Sequence, residues 1–185
     1  HAFLVLNYQN GFISDNAKKE VFLNRGFAHL RFTKTIYSKL EIELFFQVGF
    51  NDFILIKDRR LFGSGIRKSI IKKENLKSYI GLGMMRELEK YDFIENSSEL
   101  LTRQTSYSTI TYLVNNNISF NSILYFQPSV NDVFDFRLLS ENEMHFKIND
   151  KFSITMSIDY RYDNEPHGNS KKSYLQINNG FEFDL

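Results

Sequence analysis

The densest group of residues able to do chemistry lies near the end of the chain. Asp159, Arg161 and Asp163 alternate there and run into Asn164-Glu165-Pro166-His167-Gly168. An imidazole flanked by carboxylates is the composition of an acid–base pair, and His167 with Asp163 and Glu165 is the best catalytic candidate. A base must stand within hydrogen-bond reach of the proton it removes. Ser170 is the nearest hydroxyl, but no nucleophile with a defined partner is visible. Pro166 and Gly168 have backbone reasons to occupy a turn, so a solvated turn is the expected reading. Asp163, Asn164 and Glu165 could offer oxygens to calcium. His1, His29, His145 and His167 show no metal-ligand spacing. Gly63, Gly65, Gly81 and Gly83 have the look of a phosphate loop, but their surroundings alternate with a period of two and no helix follows. As small residues in strands they instead let a sheet curve and make room for large side chains on one face. No catalytic residue, cofactor site or metal site is assigned, and no enzyme is expected.

A larger set of charges falls on the polar side of alternating segments: Arg25, Arg31, Glu41, Glu43, Asp135, Arg137, Glu141, Glu143, His145, Lys147, Asp159 and Arg161, with His29, Lys77 and Glu87. Both signs are interspersed. If this side is enclosed, an unpaired charge there is costly. These residues are therefore expected to pair across neighbouring strands as a structural network filling a lumen.

The segments that carry them have the two-residue period of strands. In 152–163, Phe152, Ile154, Met156, Ile158, Tyr160 and Tyr162 take one face. Segments 39–50, 134–148 and 175–185 repeat the pattern, and weaker versions lie at 2–9, 21–33, 76–90, 101–114 and 118–127. Segment 59–71 has two phases. Either Phe62, Ile66 and Ile70 share an apolar face, or Arg60 marks that side as the polar one. Connectors alternate long (10–20, 51–58, 91–100, 128–132, 163–172) and short (33–38, 72–75, 115–117, 149–151). Membrane barrels alternate in this way between long outer loops and short periplasmic turns.

Composition agrees with a folded, strand-rich single domain over residues 1–185. There are 19 Phe and 10 Tyr but no Cys or Trp, which excludes a disulfide scaffold and a thiolate metal site. The net charge of +1 gives no reason to expect a nucleic-acid partner. The start, His1-Ala2-Phe3-Leu4, is strand-like and not a signal peptide. Periodicity does not say which face is inside. A soluble ligand-carrying barrel is apolar within, and a membrane barrel is apolar without. Segments long enough to cross a bilayer, Tyr160 and Tyr162 at the end of an apolar stripe, and the alternating terminus Gly180–Leu185 favour the membrane.

Four stretches carry a resemblance that runs from about residue 22 to the end. They are Phe45-Phe46-Gln47-Val48-Gly49-Phe50-Asn51-Asp52-Phe53, Asp58-Arg59-Arg60-Leu61-Phe62-Gly63-Ser64-Gly65, Tyr125-Phe126-Gln127-Pro128 with Asp135-Phe136-Arg137, and Asp159-Tyr160-Arg161-Tyr162-Asp163-Asn164-Glu165-Pro166. They resemble the salt-induced outer-membrane protein family, a β-barrel family named as a domain of unknown function. The resemblance implies an outer-membrane barrel and brings no catalytic residues. Members usually begin with further strands, so about 12 are expected if an N-terminal hairpin is missing, against about 10 in this sequence. The expectation is an all-β, up-and-down antiparallel transmembrane β-barrel of a bacterial outer membrane. It would be a structural or accessory component, with a narrow pore as the alternative and a soluble lipid-binding barrel beyond that. Its expected partners are outer-membrane lipid, lipopolysaccharide and other outer-membrane proteins.

Overall fold

A computed structural model describes residues 1–15, 18–91, 98–167 and 170–183. The strands are β1 (Ala2–Asp15), β2 (Lys18–Tyr37), β3 (Leu40–Asn51), β4 (Ile56–Lys72), β5 (Leu76–Tyr91), β6 (Ser98–Asn115), β7 (Ile118–Pro128), β8 (Phe136–Asn149), β9 (Phe152–Asp163) and β10 (Ser173–Phe183). A 3-10 turn, Asp52–Ile54, interrupts the passage from β3 to β4. The strands form one antiparallel sheet in chain order, each paired with its sequence neighbour. The sheet curls into a half-barrel. β1 and β10 do not pair, yet Gln176 Nε2 donates to Gln9 Oε1 across the seam between them at 3.2 Å.

One parity holds through almost the whole sheet. Along the middles of β1–β9, odd-numbered side chains point to the concave side; in β10 the even-numbered ones do. The convex side carries Ile42, Leu44 and Phe46 on β3, Ile80, Leu82 and Met84 on β5, and Ile158 and Tyr160 on β9, all exposed. Rings gather at both margins of this belt. Phe126, Phe136 and Tyr162 follow one another near the long connectors, while Phe152 lies against Phe181 and Phe183 near the short turns. Apolar outside and charged inside is the polarity of a sheet that meets lipid.

The two phases of segment 59–71 resolve with Phe62, Ile66 and Ile70 on the convex side, together with Arg60. The long connector expected at 10–20 is mostly ladder, because β1 continues to Asp15 and β2 begins at Lys18. A strand overhanging into water keeps its backbone bonds without needing an apolar stripe, so alternation fades there before pairing does. Similarly, β2 reaches Tyr37, leaving a turn at Ser38 and Lys39. Phe134, assigned to the stripe of 134–148, instead lies in the connector before β8 and is strongly exposed. Asp184, Leu185, Gly168 and much of the 91–100 connector lie outside the described residues.

Two of the aromatic residues on the concave side, Phe45 and Tyr107, each need a glycine beneath them. Phe45 packs with Leu61 and Met85. A Cβ on Gly63 would stand 2.2 Å from Phe45 Cζ. Tyr107 occupies the corresponding space over Gly81, where a Cβ would come within 2.1 Å of its ring.

Candidate functional site: the charged lumen

The concave charges form layers. The outermost lies just inside the long connectors and is assembled from six parts of the chain. Arg59 comes from β4, Glu87 and Glu89 from β5, Arg103 from β6, Asp135 from the connector after β7, Arg137 from β8, and Arg161 and Asp163 from β9. Spacing by two along a strand puts Glu87 with Glu89, and Arg161 with Asp163, on one face.

Arg137 is the hub. Its Nη1 donates to Glu87 Oε1 at 2.6 Å and to Glu89 Oε1 at 3.0 Å, its Nη2 to Glu89 Oε2 at 2.9 Å, and its Nε to Asp163 Oδ2 at 2.8 Å. Arg59 Nε donates to Glu87 Oε2 at 2.9 Å and lies 3.2 Å from Glu89 Oε1. Arg103 Nη2 reaches both oxygens of Asp135 at 3.0 Å, and its Nη1 donates to the carbonyl of Gln127 at 3.3 Å. Arg161 Nη2 donates to Asp163 Oδ2 at 3.0 Å, and the Tyr91 hydroxyl donates to Glu89. Four guanidinium groups thus face four carboxylates. Glu87 and Glu89 are 0% exposed, and Arg103 and Arg137 1%. Those values place the centre of the layer out of solvent. Compensation of sign and a near-complete set of hydrogen bonds are what make such burial tolerable.

A second layer surrounds Glu43, buried on β3. Arg31 and Arg67 each come within 3.6 Å of it, and the Tyr107 hydroxyl donates to it. Arg67 Nε also donates to Glu41 Oε2 at 2.6 Å, with its guanidinium 4.8 Å from the Tyr79 ring centre. His29 meets Gln47 at 3.1 Å and stacks on Phe45. Nearer the seam, Arg25 Nε donates to Gln9 Oε1 at 2.7 Å.

Towards the short turns the lining opens. Glu141 and Glu143 are exposed, and Glu141 stands in register with Asp159, carboxylate beside carboxylate. These three acids make no ion pair among the described residues. His145 Nε2 lies 3.3 Å from Glu182, and Lys147 Nζ 2.7 Å from Asp150 in the following turn. The structure therefore brings Asp135, Arg137 and Arg161 together, and separately Arg31, Glu41 and Glu43. It leaves Arg25, Glu141, Glu143, His145, Lys147 and Asp159 outside both layers. Lys77 is exposed.

Sequence reasoning missed Arg59, Arg67, Glu89 and Arg103 as interior residues. Arg67 stands in a basic run with Lys68, Lys72 and Lys73, which obscures its inward parity. The parity of β4 was the available signal, since Arg59, Leu61, Gly63 and Arg67 share it. Arg103 was hidden because β6 presents Thr102, Gln104, Ser106 and Ser108 on its convex side, so no apolar stripe marks its phase.

The candidate acid–base grouping of His167 with Asp163 and Glu165 is not assembled. His167 Nε2 is 2.6 Å from Glu99 and its ring lies against Tyr91. The Ser170 hydroxyl donates to the Ile54 carbonyl at 3.3 Å. Asp163 is committed to Arg137 and Arg161, and its Oδ1 accepts the Glu165 amide at 3.3 Å, a turn within the connector. Among the described residues no three His, Asp or Glu side chains gather as metal ligands.

An up-and-down antiparallel sheet, apolar without and charged within, defines a β-barrel class of fold. A solved structure described as the NanC porin has this fold, with a TM-score of 0.60 at 9% identity, and the match covers 100% of this chain and 97% of that one. No curated protein matches the chain. The family model described as a protein of unknown function, DUF481, matches residues 4–183, and the chain belongs to that family. Its description carries no reference to salt induction.

Proposed function

We propose that this chain is an integral barrel of a bacterial outer membrane, without catalytic activity, serving as a structural or accessory component. The observation that carries this reading is the outer charge layer. A passage for solutes needs a continuous wet lumen, and Glu87, Glu89, Arg103 and Arg137 leave none at that height. Eight strands already give an interior that side chains can fill, whereas barrels of 16–18 leave a channel. In a sheet of this size, paired arginines and carboxylates act as filling that also fixes strand register. Outer-membrane lipid and lipopolysaccharide are its surroundings, and other outer-membrane proteins are candidate partners.

A narrow pore is the second reading. It is favoured by the likeness to a porin and by the exposed Glu141 and Glu143, which wet the lumen from the turn end up to the second layer. Planar-bilayer recording separates the two. The sealed barrel shows no discrete conductance, while Arg137→Ala, which removes the hub, opens one. Discrete steps from the unmodified protein would overturn the sealed reading in favour of the pore.

A further inference from the structure

We propose that the convex face of β6–β8 docks against a second copy of this chain, about a two-fold axis along the membrane normal. This rests on the reading above, that the sheet stands in the outer membrane, and it names a partner for such a barrel.

The first observation is a polar island in the wall that would meet lipid. On β3, β5 and β9 the middle of the convex side is apolar, with Leu44 and Phe46, Leu82 and Met84, and Met156 and Ile158. Ser64 on β4 and Asn179 on β10 interrupt it singly. On β6–β8 the convex side carries Gln104, Ser106, Ser108, Ser122, Ser140 and Asn142 instead. Gln104, Ser106 and Ser108 stand in register with Met84, Leu82 and Ile80, so they belong to the apolar belt by position. Ser140 and Asn142 lie between Phe136 and Phe146, which share their face of β8. The island is continuous across β7, where Ser122 pairs in register with Asn142 and with Ile110.

The second observation is its hydrogen bonding. Gln104 Nε2 donates to Ser106 Oγ at 2.5 Å, Ser122 Oγ to Asn142 Oδ1 at 2.7 Å, and Asn142 Nδ2 to Ser140 Oγ at 2.9 Å. No hydrogen bond among the described residues engages Gln104 Oε1 or the hydroxyls of Thr102 and Ser108. Hydrocarbon offers neither donor nor acceptor, so polar groups turned toward it are costly until protein meets them. Hydroxyl and amide side chains are the groups that bond one membrane-spanning element to another.

The chemistry of the island selects the partner. No convex residue from Leu100 to Tyr112 on β6, on β7, or from Phe136 to Ile148 on β8 is charged. A charged partner surface or a lipid headgroup finds no opposite charge there. Hydroxyls and primary amides both donate and accept, so the island is complementary to itself. Two copies in one membrane keep their long connectors on the same side, which confines their two-fold axis to the membrane normal. A two-fold contact sets residue i against j and j against i. With β7 on the axis, Ser122 faces its own copy, and the β6 side of the island meets the β8 side of the other chain. Leu82, Leu124 and Ile158 surround the polar centre with apolar contact.

The test uses the whole chain folded in detergent and in phosphatidylcholine vesicles, with heat-modifiable gel mobility as the check on folding. Sedimentation of the folded protein should give twice the mass of one chain. The sequence has no Cys, so single thiols can be placed at will. Facing sheets stand about 10 Å apart, within reach of a short bis-maleimide. Ser122→Cys should join to a covalent dimer, and Leu44→Cys on the opposite wall should not. Ser106→Cys mixed with Asn142→Cys should join better than either variant alone. Ser106→Leu with Ser122→Leu and Asn142→Leu should keep the heat-modifiable barrel and weaken association at least about tenfold, as loss of interfacial hydrogen bonds implies. A monomer at every concentration overturns the proposal. So do equal joining through Leu44→Cys, and a triple variant that folds and associates as tightly as the unmodified chain. A chain that forms no heat-modifiable barrel overturns the outer-membrane reading instead.

Discussion

Arg137 joins three carboxylates from two other strands, so its removal leaves Glu87, Glu89 and Asp163 enclosed with less compensation. Breaking a buried pair from one side typically destabilises by about 3–5 kcal/mol. Arg137→Ala should lower the unfolding free energy in detergent by that order, measured by urea titration. Arg137→Lys should recover only part, because one ammonium does not reproduce a planar fork that reaches three acids. A loss under about 1 kcal/mol for Arg137→Ala would mean the layer is wet and the sealed lumen is wrong. At the opposite margin Asp150 offers a contrast. The Lys147 ammonium holds its carboxyl below the usual carboxylate range. A depressed carboxyl stabilises above its ordinary pKa, and that contribution fades as pH falls through the lowered one. Asp150 is fully exposed, so Asp150→Asn should leave the acid limb of the unfolding curve unmoved.

At the scale of the strand, the decisive pairs are a ring and a missing Cβ. Gly81→Ala would force the Tyr107 ring aside and break its bond to Glu43. Overpacking of this kind destabilises by about 1–3 kcal/mol. Tyr107→Ala added to Gly81→Ala should then cost less than the two separate effects combined, which a double-mutant cycle reads directly. These positions also show what a sequence reveals about a sheet of this type. Strands whose convex side is apolar, such as β3 and β9, could be placed to within a residue or two, because a continuous apolar face demands unbroken alternation. The polar convex side of β6 hid Arg103, and the phase of β4 was open because Arg60 shares its apolar face. The charged layers were only half legible: parity names which charges point inward, but the stagger of strands decides which meet. Thus Arg137 finds Glu87 and Glu89 at separations of 50 and 48 residues, while Glu141 lands beside another acid.

For the whole molecule, the seam between β1 and β10 governs what the sheet must do in the membrane proposed for it. Backbone groups left open on a strand edge are not tolerated in hydrocarbon. The two edge strands run antiparallel, as an even strand count requires, and Gln9 already meets Gln176. With no native Cys, Gln9→Cys with Gln176→Cys gives a clean cross-link test. Rapid joining in the folded state by a bis-maleimide long enough to span two Gln side chains is expected, and failure to cross-link would mean that something else occupies the seam. There is also a consequence for how the protein is made. Every ladder joins strands adjacent in the chain, so each can form as a hairpin soon after its residues are available. Only the seam joins residues 167 apart, and the entropy of closing a loop grows with its length. The sheet should therefore assemble quickly and stay open for a time. That interval, before the last edge is covered, is when an unfinished molecule is most prone to pair with a neighbour, and when an insertion machinery would have to hold it.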